Sequence, residues 1–158
     1  MNPCPCGFYP DRQHCNCSQN LVNKYFGKIK GPILDRIDIC VGTSRLELTD
    51  LSKKEKNTNS QQMREKILIA QQIQNERFKD LDINFNSQME KQQIEEFCRL
   101  EQGDKEIMDK AFNKYNMSAR GYYKVLKVAR TIADMEESKD IKREHLVEAI
   151  GYRNTYEG

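Results

Sequence analysis

Apolar residues recur at helical spacing along most of the chain. Near the N-terminus such a pattern begins after Ser18, a favourable N-cap residue, and ends at Gly27, so it predicts a helix. A short helical turn is predicted to begin at Gly31. Apolar and polar residues then alternate over residues 37–41, which predicts a short, half-buried strand.

The remainder of the chain predicts a helical bundle. Residues 47–59 are polar, charged and without periodicity, as is typical of a linker. Five further helices with short loops are predicted, at 60–78, about 88–100, after Gly103, after a capping Ser118 and at about 142–151. The fold class is therefore mainly α, with a helical bundle over residues 60–158 and a smaller α/β part over residues 1–46.

Composition limits the classes of protein to which the chain can belong. Hydrophobic residues make up 37% and charged residues 32% of the sequence. No apolar run approaches the roughly 18 residues needed to cross a bilayer, and no apolar signal-peptide segment follows Met1. We therefore expect a cytoplasmic protein, in which cysteines stay reduced unless a metal binds them. The net charge of +2 favours neither nucleic acid nor a membrane as partner.

Four cysteines cluster near the N-terminus, as Cys4-x-Cys6 and Cys15-x-Cys17. Two thiolate pairs on a small loop can supply the four tetrahedral ligands of a structural zinc ion. The usual spacing within a pair is two residues rather than one, so the match is imperfect, and His14 could replace one thiol. The alternative is that these cysteines are idle or form disulfides. A zinc ion here would be structural, because four protein ligands leave no position open for a substrate.

The other two cysteines are expected to belong to apolar cores. Cys40 lies in the predicted strand and Cys98 in a predicted helix, where a thiol behaves as a small hydrophobic side chain. Neither is expected to bind a metal.

Two arginines are candidates for anion binding. Arg120 would lie in the first turn of the helix capped by Ser118, where a cation opposes the helix dipole by roughly 0.3–1 kcal/mol. Together with the free N–H groups of that turn it would form an anion site, and the alternative is an exposed side chain paired with Asp109. Arg36 either pairs with a neighbouring aspartate or binds a phosphate in a neighbouring subunit, and periodicity does not decide between these.

Two elements of a nucleotide site are missing from the sequence. It contains no phosphate-binding loop of the form GxxxxGK[ST], and no apolar strand that ends in paired acids to hold magnesium. The chain is therefore not expected to form a nucleotide site by itself.

Four segments, taken in order, resemble a known family. They are residues 1–7 (MNPCPCG), 31–38 (GPILDRID), 118–134 (SARGYYKVLKVARTIAD) and 144–153 (EHLVEAIGYR). They are similar to the C-terminal part of the magnesium-chelatase-like AAA+ ATPases of the ComM or YifB type. The resemblance covers nearly the whole chain, is weakest over residues 47–100, and is most specific in the third segment.

The resemblance implies roles for three residues. Asn2 matches the sensor-1 asparagine, which orients the attacking water near the γ-phosphate. Arg36 matches the arginine finger, which reaches the ATP of the next subunit in the ring and stabilises the transition state. Arg120 matches the sensor-2 arginine of the helical lid, which touches the phosphates of its own subunit. Residues 1–46 would then end the α/β ATPase core, and residues 60–158 would form the lid.

The resemblance also implies a larger parent protein. Because the Walker A and Walker B segments are missing, we expect a truncated fragment that lacks ATPase activity of its own. It would work with its own ATPase core and with neighbouring subunits of a hexameric ring, which uses ATP and Mg²⁺ and moves along DNA as branch-migration motors of natural transformation do. The isolated fragment is expected to be a monomer, or a dimer paired through its exposed strand.

Two alternative functions remain open at the level of sequence. Within the family, the parent would be the ATPase subunit of magnesium chelatase, although the cysteine loop favours the ComM type. Outside it, the chain would be a self-contained zinc-binding module that binds nucleic acid or protein. The near-neutral charge and the lack of a basic stripe with interleaved aromatic residues count against this module.

Overall fold

The computed structural model describes residues 2, 4–11, 13–28, 36–43 and 58–153. The chain divides into two compact units, Met1–Ile37 and Asp38–Gly158. The α-helices of the described residues are α1 (Gln19–Phe26), α2 (Ser60–Arg77), α3 (Lys91–Phe97), α4 (Gln102–Lys114), α5 (Ala119–Met135) and α6 (Arg143–Gly151). Within these residues no strand forms, and no helix is both long and apolar enough to span a membrane. The prediction of a mainly helical fold is confirmed.

The first unit contains a small core against helix α1. The helix begins as predicted, with the backbone N–H of Leu21 donating to the Ser18 hydroxyl at 3.3 Å, and it ends at Gly27. Its Val22 is buried together with Cys4 and Cys15. The core thus consists mainly of cysteines that approach the inner face of one short helix.

The predicted strand over residues 37–41 is wrong. The apolar side chains there are exposed, Ile39 by 51% and Val41 by 67%, and Cys40 is half-buried rather than part of a core. The backbone N–H of Cys40 donates to the carbonyl oxygen of Tyr152, at the end of α6, at 2.8 Å. Alternation describes side chains that suit a strand, but a strand also needs a hydrogen-bonded neighbour. The exposed strand through which two copies were expected to pair is therefore missing from this segment.

Two predicted segments lie largely outside the described residues. They are the helical turn that would begin at Gly31 and the linker over residues 47–59. The linker and the division into residues 1–46 and 60–158 therefore stay predictions.

The five predicted helices of the bundle are confirmed as α2 to α6. Helix α3 is shorter than predicted, because a 3-10 turn over Asn86–Gln88 precedes it and the side chain of Gln93 caps its start by accepting from the Glu90 N–H at 2.8 Å. Helix α5 is central and contacts α2, α3 and α6. The largest buried apolar side chains of the core that includes this helix are Phe78, Met89, Ile94, Met108, Met117, Leu126, Ile141, Leu146 and Ile150. Cys98 is also buried there, as predicted.

A buried polar network joins α2 to α5. The Asp134 carboxylate, which is fully buried, accepts two hydrogen bonds from Arg77, one from Arg130 at 3.0 Å and one from the Asn86 side chain at 2.8 Å. Asn86 also donates to the hydroxyl of Thr131 at 3.0 Å. Charge-assisted hydrogen bonds of this kind fix the relative positions of the helices that carry them.

Candidate functional site

The four clustered cysteines come together as predicted. Their sulfur atoms are separated by 3.2 Å between Cys4 and Cys6, 3.8 Å between Cys4 and Cys15, 3.6 Å between Cys6 and Cys15, and 3.4 Å between Cys6 and Cys17. Four sulfur atoms at the usual 2.3 Å from a tetrahedral zinc ion would lie about 3.8 Å apart. None of these four cysteines forms a disulfide, and their sulfur atoms together make a donor set that could hold a metal ion.

Local backbone geometry places the first pair of thiols. The Gly7 N–H donates to the Cys4 carbonyl oxygen at 3.0 Å and closes a tight turn. Gly7 has a φ of +83°, which favours glycine, and a Cβ there would approach the Asn2 side chain to 3.3 Å. A second turn, in which the Cys15 N–H donates to the Asp11 carbonyl at 2.9 Å, brings the second pair back.

The thiols influence each other electrostatically. Burial raises the pKa of Cys4, but the N–H of Tyr9 and the three other thiols outweigh this effect and lower it to about 6. A backbone hydrogen bond from Cys6 lowers the pKa of Cys17, yet the Cys6 thiol, burial and the charge of Cys4 raise it to about 11. The pKa of Cys15 is also raised; a backbone hydrogen bond at Cys17 acts to lower it, but burial and the neighbouring thiols prevail. One thiolate therefore opposes the ionisation of the next, and a bound cation removes this opposition.

His14 does not join the thiol cluster. Its Nδ1 lies 2.7 Å from the Asp11 carboxylate, its ring stacks on Phe8, and its side chain is 60% exposed. The hydrogen bond with His14 is also the main cause of the lowered pKa of Asp11. The arrangement in which His14 replaces a thiol ligand is therefore not the one that forms.

Glu136, Glu144 and His145 form a second group of possible metal ligands. His145 is buried, its Nδ1 accepts from the Lys142 N–H at 3.0 Å, and its Nε2 lies 3.0 Å from the Glu136 carboxylate. Because Nδ1 accepts a hydrogen bond, the ring proton is on Nε2, the nitrogen beside Glu136 through which a metal would have to bind. This group caps α6 and does not fit a metal site.

Arg120 lies where the sequence predicted, in the first turn of α5. Ser118 caps the helix by accepting from the Gly121 N–H at 3.0 Å, and the Arg120 side chain is exposed. Among the ion pairs of the described residues none includes Arg120, so the alternative pairing with Asp109 does not form. The exposed Arg120 side chain therefore lies at a helix start, where backbone N–H groups favour an anion.

A second arginine lies at the same turn, which sequence reasoning missed. An Nη of Arg153 is 2.8 Å from the position that a Cβ on Gly121 would occupy. Any larger residue at position 121 would displace this guanidinium. The sequence signal that could have indicated this contact is Gly121 itself. A glycine inside a helix costs about 1 kcal/mol relative to alanine, so its presence suggests that another group lies close to the backbone there.

The other two predicted site residues belong to the first unit. Asn2 and Arg36 are both exposed. Asp38, one of the two aspartates considered as a partner for Arg36, instead forms an ion pair with Lys124 at 2.6 Å. The second aspartate considered lies outside the described residues. The roles of Asn2 and Arg36 stay predictions.

Several known proteins are similar to almost the whole chain. It is 37% identical over 154 residues to competence protein ComM of Haemophilus influenzae, which covers 97% of this chain and 29% of that protein. It is 32% identical over 154 residues to the uncharacterized protein YifB of Salmonella typhimurium and to that of Escherichia coli, with the same coverage. The chain therefore spans less than a third of the length of these relatives.

Two family models match the chain. Magnesium chelatase, subunit ChlI, matches residues 1–51, and magnesium chelatase, subunit ChlI C-terminal, matches residues 57–153. The second match covers more than half of the chain and contains the whole helical bundle. The predicted resemblance is confirmed. The chain belongs to the family of magnesium chelatase ChlI C-terminal domains.

Proposed function

We propose that this chain is the C-terminal part of a cytoplasmic AAA+ ATPase that works as a hexameric ring on DNA, as expected for the ComM type. The observation that carries this proposal is the first turn of α5, where a capped helix start presents the exposed side chain of Arg120. A cation at the positive end of a helix is unfavourable unless an anion joins it. The similarity to ComM over 97% of the chain supports the choice within the family.

Three side chains would act on a nucleotide that the ATPase core holds together with Mg²⁺. Asn2 would orient the attacking water in its own subunit. Arg120 would bind phosphate oxygens in its own subunit, since a guanidinium is always charged and offers a fork of donors. Arg36 would reach the phosphates of the next subunit as an arginine finger.

The four cysteines would hold a structural zinc ion. The separations of 3.2–3.8 Å between their sulfur atoms support this assignment, because tetrahedral zinc needs about 3.8 Å. Zinc would supply no chemistry to the reaction. It would fix the turn that follows Asn2, and in this way hold the proposed sensor-1 residue in place.

A chimera tests the proposed roles. The chain replaces the matching 29% of Haemophilus influenzae ComM, and ATP hydrolysis and ring assembly are measured. The chimera is expected to hydrolyse ATP, and Arg36→Ala or Arg120→Ala should each lower kcat at least about 100-fold. Arg143→Ala is the matched control, because Arg143 also lies in the first turn of a helix but pairs with Asp104.

Two outcomes would contradict the proposal. The first is a chimera that forms rings and hydrolyses ATP at a rate that neither arginine variant changes. The second is ATP hydrolysis by the isolated chain, which has no phosphate-binding loop. Zinc-dependent DNA binding by the isolated chain would instead favour the interaction module.

A further inference from the structure

Residues 38–43 are attached to the helical bundle at two points within the second unit. The Asp38 carboxylate pairs with the Lys124 ammonium at 2.6 Å. Two residues later, the backbone N–H of Cys40 donates to the carbonyl oxygen of Tyr152 at 2.8 Å. The segment is therefore held against α5 by an ion pair and against the end of α6 by a backbone hydrogen bond.

The ion pair lies on a defined side of α5. Lys124 follows Arg120 by four residues, and residues at this spacing are neighbours on one helix face. The Lys124 side chain is only 19% exposed, although that of Asp38 is 61% exposed. A pair whose cation is largely covered is screened less by salt than a fully exposed pair. The ion pair therefore lies on the same face of α5 as Arg120.

The other end of the attachment is close in sequence to Arg36. Asp38 follows Arg36 by two residues, and two residues of extended chain span at most about 7 Å. A restraint on Asp38 therefore limits how far the backbone of Arg36 can move relative to that point.

We propose that Lys124 is a positioning residue for Arg36. The inference rests on the proposed function, in which Arg120 binds the nucleotide of its own subunit and Arg36 serves that of the next one. Through its ion pair with Asp38, the helix that carries Arg120 restrains the segment that follows Arg36. A change at one nucleotide is then transmitted to the arginine that acts on the neighbouring nucleotide.

Hydrogen exchange in the isolated chain tests the attachment itself. The Cys40 amide is expected to exchange at least about tenfold more slowly than an unstructured amide, because it is hydrogen-bonded. Asp38→Asn and Lys124→Met should each accelerate its exchange. Lys79→Met is the matched control, since Lys79 forms an ion pair of similar length, 2.7 Å, with Glu76 on α2. Exchange of the Cys40 amide at the unstructured rate in the unmodified chain would overturn the proposal.

Kinetics of the ComM chimera test the positioning role. Lys124→Met and Asp38→Asn should each lower kcat about five- to tenfold with little change in KM, a range typical of coupling between sites. Exchanging the two charges, with Asp38→Lys and Lys124→Asp together, should restore most of kcat. In an Arg36→Ala background the same substitutions should have no further effect on kcat, because Lys124 acts through Arg36.

The outcomes separate this inference from the proposed function. If Arg36→Ala leaves kcat unchanged, the proposed arginine finger is wrong and the inference falls with it. If Arg36→Ala lowers kcat but Lys124→Met and Asp38→Asn do not, only the inference is overturned. If Lys124→Met lowers kcat while Asp38→Asn does not and the charge exchange fails to restore it, Lys124 acts on phosphate directly and the inference is again overturned.

Discussion

The first unit and the helical bundle both bury cysteine, but they do so for different reasons. In the first unit Cys4, Cys15 and Val22 are the buried core among the described residues. In the bundle Cys98 is one of fifteen such residues, and it packs as a small apolar side chain. Three buried residues make a much smaller hydrophobic core than the fifteen of the bundle. The comparison shows that cysteine in one chain can replace a core or fill one.

Metal removal should have the largest effect, and it should be confined to the first unit. We expect zinc to copurify with the chain, and Cys4→Ser or a strong chelator to remove it together with the ordered structure of α1, because the remaining core is too small. Amide signals of the bundle should stay unchanged. Metal analysis and heteronuclear NMR measure both effects, and His14→Ala, which alters an exposed neighbour, is the control. A metal-free chain in which α1 remains ordered would contradict the comparison.

Loss of the buried carboxylate should have the next largest effect, this time within the bundle. Asp134→Asn removes the charge that two buried or largely buried guanidinium groups, those of Arg77 and Arg130, surround. Breaking such a buried pair costs about 3–5 kcal/mol. Urea denaturation followed by circular dichroism measures the change in the free energy of unfolding.

The matched control for this substitution is Asp109→Asn, on the exposed side of α4. It should change the free energy of unfolding by no more than about 0.5 kcal/mol. Equal effects of the two substitutions would show that the network does not stabilise the bundle.

Local and long-range features of both units differ in how far the sequence predicted them. Helix starts were predictable because the hydroxyls of Ser18 and Ser118 each accept a hydrogen bond from an N–H only three residues later. The thiol cluster was predictable because its four cysteines lie within one loop. The Asp134 network was not predictable, since Arg77 contacts it across 57 residues of sequence. The false strand at residues 37–41 has the same origin, because alternation is local whereas a strand partner is not.

The contact of Arg153 with Gly121 predicts a stability gain that depends on residue 153. Gly121→Ala replaces a glycine inside a helix, but the added Cβ would lie 2.8 Å from the guanidinium of Arg153, so this side chain has to move aside. The substitution should therefore raise the free energy of unfolding by less than it does in an Arg153→Ala background, where the full helix propensity difference of about 0.8–1 kcal/mol between glycine and alanine is expected. Thermal unfolding of the four variants measures the cycle. An equal gain in both backgrounds would mean that Arg153 does not rest on Gly121 in solution.

The smallest expected effect concerns Cys98 and sharpens the contrast with the thiol cluster. Burial raises the pKa of Cys98 to about 12, and the charges of Arg130 and Arg77 only partly offset this effect. An unfolded thiol has a pKa of about 8.5, so above this pH the unfolded chain releases a proton that the folded chain keeps. The stability from Cys98 is therefore complete below about pH 8.5 and is lost as the pH rises toward 12, at up to about 1.4 kcal/mol per pH unit.

Urea denaturation at pH 8 and pH 10, with and without Cys98→Ala, isolates this effect from the titration of lysines. Between the two pH values the unmodified chain should lose more free energy of unfolding than the variant does. Only the unmodified chain has the Cys98 thiol, which ionises more readily in the unfolded state. Iodoacetamide should also modify Cys98 only after unfolding, whereas the cluster thiols should react as soon as their metal is removed. Equal pH dependence in both chains would show that Cys98 is accessible to water. Cys98 and the cluster thiols would then no longer differ in their accessibility to water, and the contrast between the two cores would be wrong.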